Sequence, residues 1–180
     1  SAIDAAKAIA VGIGSHNDIE EYLFKGLTPG KETLPIIAIP TTAGTGSELS
    51  KGAIITCSDN LIKTGIRGEN ILPKIAIVDA KYTLTVPISV SMETGFDVLA
   101  HAIESYVSRK ANLFSEMLSE NAIKIVSEYL PIIKNKPDDI LAREKLCYAS
   151  MIMGLNLANV GTCLPHRMQY PIGAITDTSH

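Results

Sequence analysis

No uninterrupted apolar run in this sequence approaches the roughly 20 residues a helix needs to cross a bilayer, although mean hydropathy is +0.20. A helical membrane span is thereby excluded, and no membrane partner is expected. Blocks of like charge are absent as well: 16 basic against 19 acidic residues give a net charge of −3, spread along the chain. A protein that grips a phosphate backbone shows a basic patch or stripe, so nucleic acid is not an expected partner. Cysteine is sparse. Cys57, Cys147 and Cys163 are odd in number, widely spaced and form no C-x-x-C pair. That usage points away from a disulfide framework and from a thiolate zinc site, and it suits a reducing cytoplasm. The opening residues contain neither an initiator Met nor a basic-then-apolar leader. Ser1–Ala10 (SAIDAAKAIA) enters directly into a helical pattern, so the chain reads as a piece of a longer one.

Apolar residues make up 46% of the 180, enough for one ordinary core or two small ones. The first half alternates helix and strand. Ala5, Ala8, Ile9 and Gly12 recur at helical spacing until Gly12 and Gly14 break the pattern. Pro35–Ile39 (PIIAI) and Lys74–Val78 (KIAIV) are short apolar runs of the kind expected in strands buried on both faces. Gly52–Thr56 suits a further strand, with a turn around Ser58, Asp59 and Asn60. Beyond a join near residue 90, Glu93–Val107, Ser115–Leu130 and Asp138–Asn159 carry helical periodicity, with Asp138 as an N-cap. The expected fold class is an α/β nucleotide-binding portion, a parallel sheet with helices over 1–90, followed by an all-α metal-binding portion over 91–180.

Asp97 and His101 stand four apart in GFDVLAHAIESYVS, which on a helix puts both on one face, one turn apart. Such an oxygen and nitrogen pair is able to grip one divalent metal, but it also suits a helix-start aspartate with an unrelated histidine behind it. His166 and His180 add two imidazoles from a stretch interrupted by Pro165, Pro171 and Gly173, a loop or helix end. One carboxylate with three imidazoles suits iron(II) or zinc, whereas magnesium or calcium would want oxygen ligands. His16 lies in a polar turn and reads as exposed. Thr41–Glu48 (TTAGTGSE) follows a strand, and its small residues permit close backbone approach to a phosphate or ribose; it equally suits a flexible connection. Cys147, Met151 and Met153 read as core packing. Tyr106 and Glu104 lie near enough to His101 to line a site, but Glu104 equally suits a solvated face, and neither is assigned a role.

Taken together, these segments resemble the iron-dependent (group III) alcohol dehydrogenases. SAIDAAKAIAVGIG is similar to the region beginning at the serine of that family's Gly-Gly-Gly-Ser phosphate turn, IPTTAGTGSELS with Lys63 to its second nucleotide-contacting segment, and GFDVLAHAIESYVS to its first metal-ligand helix. The spacing of His166 and His180 suits its remaining ligands. The resemblance implies that Asp97, His101, His166 and His180 bind one catalytic divalent ion, Fe2+ or Zn2+. It also implies that Ser1, Asp4, Thr41, Thr42, Ser50 and Lys63 contact NAD or NADP. The implied reaction is hydride exchange with a small alcohol or aldehyde in a cleft between the two portions of a homo-oligomer. Many family members carry a second histidine four residues after the third ligand, where this chain has Tyr170. That tyrosine resembles the hydroxyacid–oxoacid transhydrogenase branch and brings a hydroxy-acid substrate into view. Related metal-dependent enzymes of the same fold, and a non-catalytic fragment, are the other readings.

Overall fold

A computed structural model describes residues 1–57 and 61–176. The expected turn at Ser58–Asn60 lies outside the described residues, as does His180. The elements run α1 (Ala2–Gly14), α2 (Ile19–Phe24), β1 (Ile37–Ala38), β2 (Gly52–Cys57), β3 (Ile62–Arg67), β4 (Ile75–Ala76), α3 (Ile88–Tyr106), α4 (Leu113–Asn135), α5 (Ile140–Val160) and α6 (Leu164–Ile175).

Local chemistry starts the helices. Ser1 caps α1 in a reciprocal box with Asp4, and Asn112 caps α4 in the same way with Ser115. The cap of α5 is Asp139, whose side chain accepts from Ala142 N, and not Asp138 as the sequence reading had it. A cap accepts from the amide two or three residues on, and it is Asp139, immediately before the first helical residue Ile140, that does so here. The Pro165–Gly173 stretch is a helix and not a loop. Pro165 falls in its first turn, where the missing N–H costs no hydrogen bond.

β1 and β4 pair in parallel, Ile37 with Ile75 and Ala38 with Ala76, while β2 and β3 form an antiparallel hairpin. The expectation of strands buried on both faces fails here: Ile36 and Ala38 are buried, but Ile37, Ile39, Ile75 and Ile77 are exposed. The parallel pair is only two strands wide, and only one of its faces is packed. The core has two centres. Val11, Tyr22, Ala53, Ile66 and Ile71 bind α1 and α2 to the hairpin. In the helical half, Leu118, Ala122, Val126 and Leu130 of α4 recur every fourth residue and meet Val98 and Ala102 of α3 and Leu146, Ala149 and Met153 of α5. Cys147 is buried, and Met151 packs against this cluster. Each fully buried Leu, Ile or Val side chain contributes about 1.5–3 kcal/mol. Among the described residues, no single helix is long and apolar enough to cross a membrane.

The Thr41–Ser50 segment is anchored to α5 by glycines. Gly46 has φ +58°, and a Cβ there would lie 2.5 Å from the Gly154 backbone. A Cβ on Gly154 would in turn lie 2.2 Å from the Gly46 carbonyl oxygen. Two backbones touch, with no room for a side chain on either.

Candidate metal centre and adjoining cavity

α3 has two working faces. Ser91, Gly95, Val98, Ala102 and Ser105 turn inward and are buried. Asp97, His101 and Glu104, at i, i+4 and i+7, share a neighbouring face. α6 brings His166 to that face. One ligand atom from each of Asp97, His101 and His166 lies within 4.8 Å of the other two. Asp97 Oδ1 is 3.6 Å from His101 Nε2 and 3.2 Å from His166 Nε2. The two imidazole rings stack, with centroids 4.4 Å apart and an interplanar angle of 17°. All three side chains are less than a tenth exposed. One carboxylate oxygen and two imidazole nitrogens at this separation fit a divalent cation of intermediate softness, iron(II) or zinc.

Glu104 is the residue that the sequence reading left without a role. It is buried, not solvated. Its Oε1 faces His166 Nδ1 at 2.5 Å, and its Oε2 accepts the Cys163 amide proton at 2.5 Å. A signal was available, because Glu104 continues the Asp97–His101 face by one more turn. Tyr106, by contrast, is exposed.

Burial disfavours a charged His166, but hydrogen bonds that its ring N–H groups donate to Asp97 and Glu104, together with the negative charge of those carboxylates, outweigh it and raise the imidazole above its ordinary pKa. In the metal-free chain, the stability this group contributes is present below the unfolded value near 6.5 and lost as pH rises through the raised folded value. A metal requires the neutral ring, so each ion taken up in that window displaces a proton. We therefore expect zinc affinity to climb by up to about tenfold per pH unit until His166 is neutral and then to level off. A competition titration against a chromophoric chelator from pH 6 to 9 checks this. A flat profile would exclude His166 from the ligand set.

Beside the histidines opens a cavity of about 640 Å3, a size typical of small-molecule and cofactor sites. Of the six residues expected at a dinucleotide, Ser1, Asp4, Ser50 and Lys63 line it. Thr41 is exposed, and Thr42 faces a separate crevice beside Ser91, Thr94 and Arg143. Thr45 and Ser47, from the same Thr- and Gly-rich segment, stand on the cavity wall instead. Tyr170, one helical turn beyond His166, is on the wall too, as is Arg67. Lys63 donates to Gln169 at 3.3 Å, joining the hairpin to α6.

The wall formed by residues 47–52 is held from behind. Lys7 of α1 is fully buried and donates to the carbonyls of Ser47 (2.7 Å), Ser50 (2.8 Å) and Gly52 (2.9 Å). Asp4 accepts from the Ser47 hydroxyl at 2.6 Å. Burial lowers Lys7 to about 8, with the carboxylates of Asp4 and Glu48 pulling the other way. Sequence reasoning missed Lys7, although it lies on the same face as Asp4 and Val11.

Comparison with known proteins gives a consistent picture. Residues 91–180 match the family model described as "Fe-containing alcohol dehydrogenase family, C-terminal", and residues 1–80 match "Iron-containing alcohol dehydrogenase". The chain is 36% identical over 181 residues to an NAD-dependent methanol dehydrogenase of Bacillus methanolicus, covering 100% of this chain and 47% of that protein. It is 34% identical to the mitochondrial hydroxyacid-oxoacid transhydrogenase of Mus musculus, covering 99% and 43%. Among solved structures, sulfoacetaldehyde reductase from Bifidobacterium kashiwanohense in complex with NAD+ superposes with a TM-score of 0.91 at 37% identity, covering 97% and 46%. The chain spans about half the length of the curated relatives it matches.

Proposed function

The chain belongs to the iron-containing alcohol dehydrogenase family, and from that premise we propose that the protein is a metal-dependent oxidoreductase. In this reading it moves a hydride between a nicotinamide cofactor and a small alcohol or aldehyde. The observation that carries the reading is the convergence of Asp97, His101 and His166 on one point, with the two histidines on the wall of a cavity that also bears Ser1, Asp4, Ser50 and Lys63. Asp97, His101, His166 and His180 are assigned as ligands of one divalent ion, iron(II) or zinc. Residues 1–90 are assigned to the nucleotide-binding part and 91–180 to the metal-binding part. NAD is the favoured cofactor, in keeping with the NAD-dependent methanol dehydrogenase and the NAD+ complex among the relatives.

When bound, the ion supplies Lewis-acid polarisation of the substrate oxygen, and the nicotinamide supplies or accepts the hydride. The chain's own residues do three things. Asp97 and the two histidines present their ligand atoms from two helices, on side chains that are buried, which strengthens electrostatic contacts there. Asp4, Ser47 and Lys7 fix the turn at 47–52 against which the cofactor rests. Lys63 and the hydroxyls of Ser1 and Ser50 offer hydrogen bonds to ribose or phosphate oxygens.

One observation favours a particular substrate class within this chemistry. The cavity carries Glu69 ion-paired with Lys51 at 2.7 Å, and Lys63 and Arg67 beside Tyr170. With Lys63 given to the nucleotide, Arg67 is the further cation, and it suits a substrate with its own carboxylate, as in the transhydrogenase relative. NADH oxidation by the full-length protein, against a panel of aldehydes and short oxo acids, tests both readings. Turnover of aldehydes that disappears on chelation supports the dehydrogenase. A preference for oxo acids that is lost in Arg67→Ala supports the second reading. Turnover untouched by chelation contradicts both.

A further inference from the structure

The third member of the metal centre comes from a different helix than the first two, and its delivery depends on few contacts. α6 begins at Leu164, and the residue at its N-cap, Cys163, makes no side-chain cap of its own. What meets this helix end is Glu104. Its Oε2 takes the Cys163 amide proton, its backbone carbonyl takes the Cys163 thiol proton at 3.2 Å, and its Oε1 meets His166 Nδ1. Every one of these contacts spans about 60 residues of sequence, and Glu104 and His166 are both buried.

We infer that Glu104 is a positioning residue that locks His166 with Nδ1 as its donor and Nε2 turned toward Asp97, so that the site is ready for a divalent cation. The inference rests on the assignment of Asp97, His101 and His166 as ligands. The physical argument concerns the ring's two nitrogens. A carboxylate only accepts hydrogen bonds; both ring nitrogens face one, Glu104 Oε1 at 2.5 Å from Nδ1 and Asp97 Oδ1 at 3.2 Å from Nε2, and the neutral ring keeps its single proton where the carboxylate is closer, on Nδ1. With that proton fixed on Nδ1, the Nε2 lone pair is left for a cation, and Nε2 already lies 3.2 Å from Asp97 Oδ1. The same carboxylate sets the depth of α6, because it holds the amide of the N-cap residue, Cys163, with its other oxygen. A carboxylate behind a ligating histidine also raises the ring's basicity, and loss of such a partner typically weakens metal affinity by about 10- to 100-fold.

Glu104→Gln separates this role from mere packing. The amide has the same shape but presents one donor and one acceptor. Whichever way it turns, one of its two native partners, Cys163 N–H or His166 Nδ1–H, faces an N–H2. The ring can escape that clash by moving its proton to Nε2, which blocks coordination. We expect Zn2+ affinity, measured by chelator competition on the full-length protein, to fall about 10- to 100-fold in Glu104→Gln. Glu104→Asp should recover part of it. Nitrogen-15 spectra of zinc-loaded wild-type protein provide a second measurement that needs no variant to fold. They should show His166 protonated at Nδ1 and coordinating through Nε2. Zinc affinity in Glu104→Gln within about threefold of wild type would overturn the inference while leaving the ligand assignment intact, and so would coordination through Nδ1. Failure of wild-type protein to bind zinc at all would overturn both.

Discussion

Lys7→Met is expected to lower the stability of the folded chain by about 3–5 kcal/mol, the cost typical of leaving buried polar partners uncompensated. Methionine fills much of the same space, so the loss is not one of volume. It comes from the carbonyls of Ser47, Ser50 and Gly52, which lose the shared donor that the fully buried Lys7 supplies. An ammonium group has three protons, and the structure gives it three carbonyls. For a chain of this size, such a loss lowers Tm by roughly 10 °C. The turn at 47–52 should loosen with it, weakening nucleotide binding. Thermal unfolding followed by circular dichroism, with NADH titration at a temperature where both proteins are folded, checks both parts. A Tm within 2 °C of the parent would show that the buried ammonium is not what holds the turn.

Gly154→Ala should also be damaging, though about half as much and for a different reason. Alanine in mid-helix is ordinarily better than glycine by about 1 kcal/mol. Here the added methyl would lie 2.2 Å from the Gly46 carbonyl oxygen and 2.9 Å from Gly46 Cα, both backbone atoms. Gly46 has no easy retreat, because its φ of +58° already fixes the bend. Overpacking of this kind costs about 1–3 kcal/mol, with more where backbone must shift. We expect net destabilisation of about 2 kcal/mol, together with weaker NADH binding as the Thr45–Ser47 wall is pushed away from α5. The neighbouring Leu155→Ala, at a half-exposed position on the same helix, is the control. Equal stability of Gly154→Ala and the parent would remove the close approach from the account.

Reading by periodicity reached Asp97 and His101 because a helix fixes what lies four residues apart, whatever it packs against. The same logic found α3, α4 and α5, and it missed the cap of α5 by one residue because Asp138 and Asp139 are chemically alike. His166 was legible as a ligand type, but its carrier was not. Two prolines and a glycine argue for an irregular stretch; Pro165 is accommodated in the first turn of α6, whereas Pro171 and Gly173 lie inside the helix against their propensity. Lys7 and Glu104 were harder. A charged side chain reads as exposed until its partners are known, and those partners lie some 40 and 60 residues away. The Gly46–Gly154 contact belongs to the same class. The exposed isoleucines of β1 and β4 show the reverse limit, since an apolar run reports what a strand is suited to bury and not what covers it. The resemblance assigns Thr41 and Thr42 to the nucleotide, and the cavity is lined by Thr45 and Ser47 from the same segment.

The central claim is that Asp97, His101 and His166 form one metal site. Its most direct test is the metal content and Zn2+ affinity of protein purified without oxygen, measured beside Asp97→Ala and His166→Ala. The account predicts close to one iron or zinc per chain in the parent, with both variants retaining their helical content and losing the metal by more than about 100-fold in affinity. Stoichiometric metal that persists in both variants would place the ion elsewhere and contradict the site.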